Sequence, residues 1–195
     1  DPELIGGGGV AVFGNFVYVS DPENHRILKV DLDLDTTMVF AGSEAADGVA
    51  GFVEGQGTAA RFDHPRGLAV DGMGNLYVAD EYNQRIRKIT ADGLVSTIAG
   101  SGAAGFLDVA AGASLTAKFF LPTGIAVDNS DNIYVADSGN HRIRFIAPDG
   151  SVDTFAGNAD GVAGLDEGNA PTARFDSPQA LAWTAPGDLL VADTG

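Results

Sequence analysis

Cysteine is absent from the 195 residues. That excludes disulfide staples, thiolate nucleophiles and cysteine metal clusters, and leaves the compartment open. Positive charge is scarce, with 11 Lys and Arg against 27 Asp and Glu and a formal net charge of -16. A surface this negative repels phosphate backbones, so nucleic acid is not an expected partner. No apolar run reaches the roughly 18 residues of a membrane helix, and membrane insertion is not expected. An apolar period of 3.6 residues is also missing, which excludes a helical solenoid. The chain has neither an initiator Met nor a secretory leader, and "DPELIGGGG" reads as a trimmed or internal start.

What the sequence does contain is a repeat. Hydrophobic residues make up 45% of the chain, enough for a core, and the 27 glycines recur in set places. Self-comparison aligns "HPRGLAVDGMGNLYVADEYNQRIRKITADGLVSTIAG", residues 64–100, with "LPTGIAVDNSDNIYVADSGNHRIRFIAPDGSVDTFAG", residues 121–157. A more diverged copy occupies 6–42, and an incomplete fourth runs from 177 to 195. Pro65, Pro122 and Pro178 mark the period, 57 and then 56 residues apart.

Each complete unit holds four short strand-like runs. In the second they are Leu68 to Asp71, Leu76 to Asp80, Arg85 to Thr90 and Val95 to Ala99. "LYVAD" has the small and β-branched residues of a buried strand, whereas "RIRKI" alternates like a strand with one wet face. "GMGN", "EYNQ" and "ADG" between them are turn sequences. Four antiparallel strands in tandem repetition predict an all-β fold, a β-propeller of four-stranded blades. Residues 43–63, 101–120 and 158–176 then connect the blades.

The segment "YV-[SA]-D-x-x-N-[HQ]-R-I", with "NHRI" at 24–27 and 140–143, resembles the NHL repeat. The lead-in "GTAARFDHPRG" from Gly57 is similar to that family as well. The resemblance implies a propeller, most often of six blades. Three blades and half of a fourth are then a partial ring, with the remaining blades of the same propeller as its partners. "LLVADTG" at the end reads as a second strand opening its hairpin turn.

Residues recurring in every blade are expected to be architectural, because one active site has no reason to repeat. Asp21, Asp80 and Asp137 end the second strands, and Arg26, Arg85 and Arg142 open the third, five positions on. An Asp–Arg pair across each hairpin is the expected arrangement. Phe62, Phe119 and Phe175, each following Ala-Arg or Ala-Lys, are expected to plug the grooves between blades, with one helical turn before them. His25 and His141 share their position with Gln84, which cannot titrate and points to a polar turn residue. His64, replaced by Leu121 and Ser177, is the more individual histidine.

Strand alternation puts His25, His64, Glu81, Tyr82, Gln84 and His141 on one rim, which is the candidate binding face. The connections emerge there and carry nine acids, including Asp47, against three bases. No catalytic residue, cofactor or metal ligand is assigned. Calcium is the one ion such acidic loops would suit, yet "DLDLD" at 31–35 lacks the Gly and Glu of an EF-hand and reads as a hairpin tip.

The function expected is a non-catalytic binding module whose loop-built rim engages a protein, peptide or glycan. The alternative is a metal-dependent lyase or lactonase acting in the central channel, as in similar propellers. Similarity to acidic, cysteine-free exported bacterial propellers implies an extracytoplasmic location, secreted or periplasmic.

Overall fold

The computed structural model describes residues 8–44, 48–184 and 187–195; Asp47 lies outside them. Each repeat folds into an antiparallel sheet whose consecutive strands are neighbours. The first blade comprises β1 (Val10–Phe13), β2 (Phe16–Asp21), β3 (Arg26–Asp31) and β4 (Thr36–Gly42). A short strand, β5 (Gly55–Gln56), follows in the first connection. The second blade holds β6 (Pro65–Val70), β7 (Leu76–Asp80), β8 (Arg85–Ile89) and β9 (Leu94–Ala99). The third holds β10 (Pro122–Val127), β11 (Ile133–Asp137), β12 (Arg142–Ile146) and β13 (Val152–Ala156). The fourth repeat contributes β14 (Pro178–Trp183) and β15 (Leu189–Asp193). Among the described residues no helix is long and apolar enough to cross a membrane.

The core lies between blades. One cluster joins Ile27 and Ala41 of the first blade to Leu76 and Val78 of the second. Another joins Ala79 and Ile86 of the second to Val135 and Ile146 of the third. This explains why every residue of β7 and β11 is buried: both faces of the second strand meet a neighbouring sheet, so alternation disappears. Phe62 and Phe119 sit fully buried in these two clusters, a burial that stabilises by about 1.5–3 kcal/mol each. Phe175 is only half-buried, beside Leu181, Trp183 and Val191.

The third strands depart from the expected wet face. Arg87 and Arg144 are the largest fully buried side chains among the described residues. They can be buried because carboxylates and carbonyls meet them inside, as described below.

The connections are less loop-like than their length suggests. The first runs across the rim near Asn83, which donates to Gly51 O, and then descends. There β5 pairs with β9 and covers the outer edge of the second blade. A 3-10 turn at Gly57–Ala59 reverses the chain, and Arg61 returns antiparallel to Val53. The second connection repeats the device, with bridges Leu107–Lys118 and Val109–Val152 and a 3-10 turn at Ser114–Thr116. The first two connections therefore form wedges packed between blades. The expected loop-built rim is confined to segments such as 48–53.

On the opposite, inner side, β1, β6, β10 and β14 lie next to one another. Gly67 makes this approach possible: a Cβ there would stand 2.3 Å from Thr123 O. Gly124 is equally constrained against Gln179 O, at 2.7 Å. These strands wall an open recess of about 400 Å³ lined by Gly9, Arg66, Glu81, Thr123 and Gln179.

Candidate functional site

Each second strand ends in an Asp that organises the rim. Asp80 and Arg85 are direct cross-strand partners, as are Asp137 and Arg142. Their side chains nevertheless do not pair. Asp80 Oδ2 accepts from Arg87 Nη1 at 2.9 Å, and Asp137 Oδ2 from Arg144 Nη1 at 2.9 Å. Only in the first blade does the expected pair form, Asp21 with Arg26 at 2.9 Å. The reason lies two residues along the same face, where Leu28 stands in place of Arg87 and Arg144. Where a deeper arginine exists, it takes the buried carboxylate. Arg85 is displaced onto the carbonyls of Asn83 and Ser101, and Arg142 onto those of Asn158 and Ala159.

The buried guanidiniums are also sandwiched by rings. Arg87 lies 4.8 Å from Phe52 and 5.2 Å from Phe62; Arg144 lies 4.8 Å from Phe106 and 5.1 Å from Phe119. Burial pushes the Asp80 carboxyl up to about 6, against the pull of the Asp63 N–H, Arg87 and Asn83. Asp137 is raised for the same reason. Both carboxylates accept a backbone N–H from the connection, that of Asp63 at 2.8 Å and of Phe120 at 2.7 Å. The repeated geometry thus ties turn, third strand and connection to one anion.

The turn that follows sets the boundary between blades. Asn24, Asn83 and Asn140 donate to the Asp three residues earlier. The next residue adopts the left-handed conformation, with φ of 54° at His25 and 53° at Gln84 and His141. A non-glycine residue costs about 1–3 kcal/mol there unless its surroundings hold it. They do so through one contact. His25 Nδ1 accepts the backbone N–H of His64 at 3.1 Å, Gln84 Oε1 that of Leu121 at 2.7 Å, and His141 Nδ1 that of Ser177 at 3.1 Å. His and Gln interchange because each can hold an acceptor at this point. Sequence reading put these residues in the turn but missed the acceptor latch to the next blade.

At the first boundary the latch is surrounded by further polar groups. His64 Nδ1 lies 2.8 Å from Asp63 Oδ1, and His25 Nδ1 is 3.7 Å from the same oxygen. The two imidazoles meet edge to face, with centroids 4.7 Å apart, and Tyr82 covers His64 at 4.2 Å. Burial, and secondarily His64, lowers the pKa of His25 against the opposing pull of Asp63, Glu23 and Asp21. His25 is buried, whereas Asp63 and His64 are half-buried and reachable from solvent. Neighbouring Glu81 pairs with Arg66 at 2.7 Å at the edge of the inner recess. Of the candidate face, His25, His64 and Tyr82 thus converge, Glu81 turns toward the recess, and Gln84 and His141 belong to the next two boundaries.

Two further networks follow a D-x-x-x-N-x-Y pattern that recurs at 71–77 and 128–134 and that the turn reading passed over. Asp71 gathers Asn75, the Met73 N–H and Tyr77, and Asp128 gathers Asn132, the Ser130 N–H and Tyr134. Burial raises both carboxyls, but those hydrogen bonds outweigh it and leave them lowered. They brace the hairpin between first and second strands. At 31–35 Asp31 accepts the N–H groups of Asp33 and Leu34, which makes the segment a self-contained turn.

The NHL-repeat model matches residues 62–89 and 121–144. The chain belongs to the NHL-repeat family. Both matches run from the connection Phe, or just after it, through the Asp-containing strand to the buried third strand. This NHL chain is 33% identical over 137 residues to NHL repeat-containing protein 2 of Bos taurus, an alignment covering 67% of the chain and 18% of that relative. A protein of unknown function from Bacteroides thetaiotaomicron superimposes with a TM-score of 0.76 at 25% identity, covering 96% of this chain and 44% of that one. The nidogen/laminin complex structure superimposes with a TM-score of 0.62 at 18% identity, covering 96% and 56%. The NHL chain is thus all-β and corresponds to part of a propeller. It spans less than a fifth of the curated relative and about half of the matched structures.

Proposed function

We propose that this NHL chain is part of a non-catalytic interaction module whose rim binds a protein, peptide or glycan, with a protein surface the best fit. One observation carries the reading. Four aromatic rings, Phe52, Tyr82, Phe106 and Phe120, stand 40–49% exposed beside the turns at that rim. Phe52 and Phe106 are fixed on Arg85 and Arg142 at 3.8 Å, and Tyr82 on His64. Rings already held in place lose little entropy on binding and are the side chains that dominate interface energies. The formal net charge of -16 favours a partner with basic groups.

The nidogen/laminin structure is a complex between proteins, which supports the same use proposed here. The test is capture from the organism's own extract, together with a glycan array, using the full-length protein. Wild type should retain a partner that a Tyr82→Ser/Phe106→Ser variant loses while keeping its circular dichroism. Equal retention by both proteins would sink the reading.

A further inference from the structure

The geometry points to a divalent metal site at the first blade boundary, held by His25, Asp63 and His64. Their ligand atoms lie within 4.8 Å of one another, and they are the one such trio among the described residues. Two imidazole nitrogens and a carboxylate oxygen suit a zinc-like ion, which needs donors at about 2.0–2.2 Å. Small rotations of His25 and His64 would bring the set to that distance, because Asp63 already sits 2.8 and 3.7 Å from the two rings. Solvent reaches Asp63 and His64, so an ion has an entry path and an open coordination position.

The repeat itself argues that this trio is not simply architecture. At the second boundary Phe120 and Leu121 occupy the positions of Asp63 and His64, with the latch intact. The Asp63 carboxylate and the His64 imidazole are therefore dispensable for joining two blades. At the third boundary His141 and Asp176 remain, 3.6 Å apart, but Ser177 replaces the second histidine. Only the first boundary brings three donors together.

Binding would compete with the latch. His25 Nδ1 now accepts the His64 N–H, so its Nε2 carries the ring proton. An ion taking Nδ1 displaces that N–H; an ion taking Nε2 drives a proton off Nε2 and onto Nδ1. An ion between His64 Nδ1 and Asp63 likewise displaces the Nδ1 proton, which moves to His64 Nε2. Metal binding is thereby coupled to the seam between the first two blades.

The test is calorimetric titration of the full chain with Zn²⁺, and absorption spectroscopy with Co²⁺, at about pH 7.5. One ion per chain is expected. His64→Leu and His25→Gln, which copy Leu121 and Gln84, should each weaken it by about tenfold or more. His141→Gln should leave it unchanged. Thermal melts of the metal-free variants should match wild type, which separates loss of a ligand from loss of fold. Should either variant melt early, Asp63→Asn decides, since it keeps shape and removes charge: a tenfold loss supports the site and an unchanged affinity overturns it. Absence of saturable binding up to millimolar ion, or undiminished binding by His64→Leu, also overturns it.

Discussion

Where the first blade meets the second, His64 gives its backbone N–H to a histidine; where the second meets the third, Leu121 gives its own to a glutamine. The two seams share the buried Asp–Arg pair, the plugging Phe and the left-handed latch residue. They differ in what stands on top. Asp63, His64 and Tyr82 of one become Phe120, Leu121 and Gly139 of the other. The exchange is mutual: a Cβ on Gly139 would lie 2.5 Å from the Phe120 ring. A ring therefore covers each seam, supplied by the turn in one case and by the connection in the other. The comparison separates what joins blades from what is free to vary, and the free positions are where a binding function can reside.

The buried pairs should respond in the same direction at both seams, but not equally. Asp80→Ala strands the fully buried Arg87 without its anion, at a cost of about 3–5 kcal/mol read from denaturant unfolding, whereas Asp137→Ala should cost less because Arg144 keeps Asp108 at 2.6 Å. Arg85→Ala, at a residue bonded to carbonyls rather than to Asp80, should cost about 1 kcal/mol. Loss of Arg85 as damaging as loss of Asp80 would restore the simple cross-hairpin pairing.

Of similar size, Phe62→Ala and Phe119→Ala should each cost about 3–5 kcal/mol by leaving a cavity between blades. Phe175→Ala, at a half-buried ring, should cost clearly less. Equal losses at all three would mean that the third seam is as tightly packed as the first two.

Blade number, strand order and the buried second strands could be read from the sequence, because turn residues and the 57-residue period leave few alternatives. The cross-strand register of Asp80 with Arg85 was equally legible. The arginine that reaches the carboxylate was not, because Arg85 and Arg87 lie on the same strand face and burial decides between them. The first blade shows the rule by exception, since Leu28 leaves the carboxylate to Arg26. The wedge form of the connections was hidden because its pairing is long-range and nearly free of strand signals: "GQ" alone forms β5. Interchange of His and Gln was visible, but only a left-handed backbone aimed at the next blade turns it into a latch. Convergence of His25 on Asp63 and His64 needed that same geometry, since 38 residues separate His25 from Asp63.

The latch is the central claim, and the unfolding stability of His25→Gln across pH tests it most directly. At about pH 8 both proteins carry a neutral acceptor and should agree within about 0.5 kcal/mol. The folded-state pKa of His25 is depressed by burial and His64, so its contribution is complete above its unfolded pKa of about 6.5 and fades as pH falls through and below that value. Glutamine does not titrate, and the raised Asp80 carboxyl is common to both proteins and cancels in the difference. Wild type should therefore lose stability relative to His25→Gln between about pH 7 and 5.5. A variant that is weaker by more than about 1 kcal/mol at pH 8, or a difference that stays flat with pH, would contradict the latch.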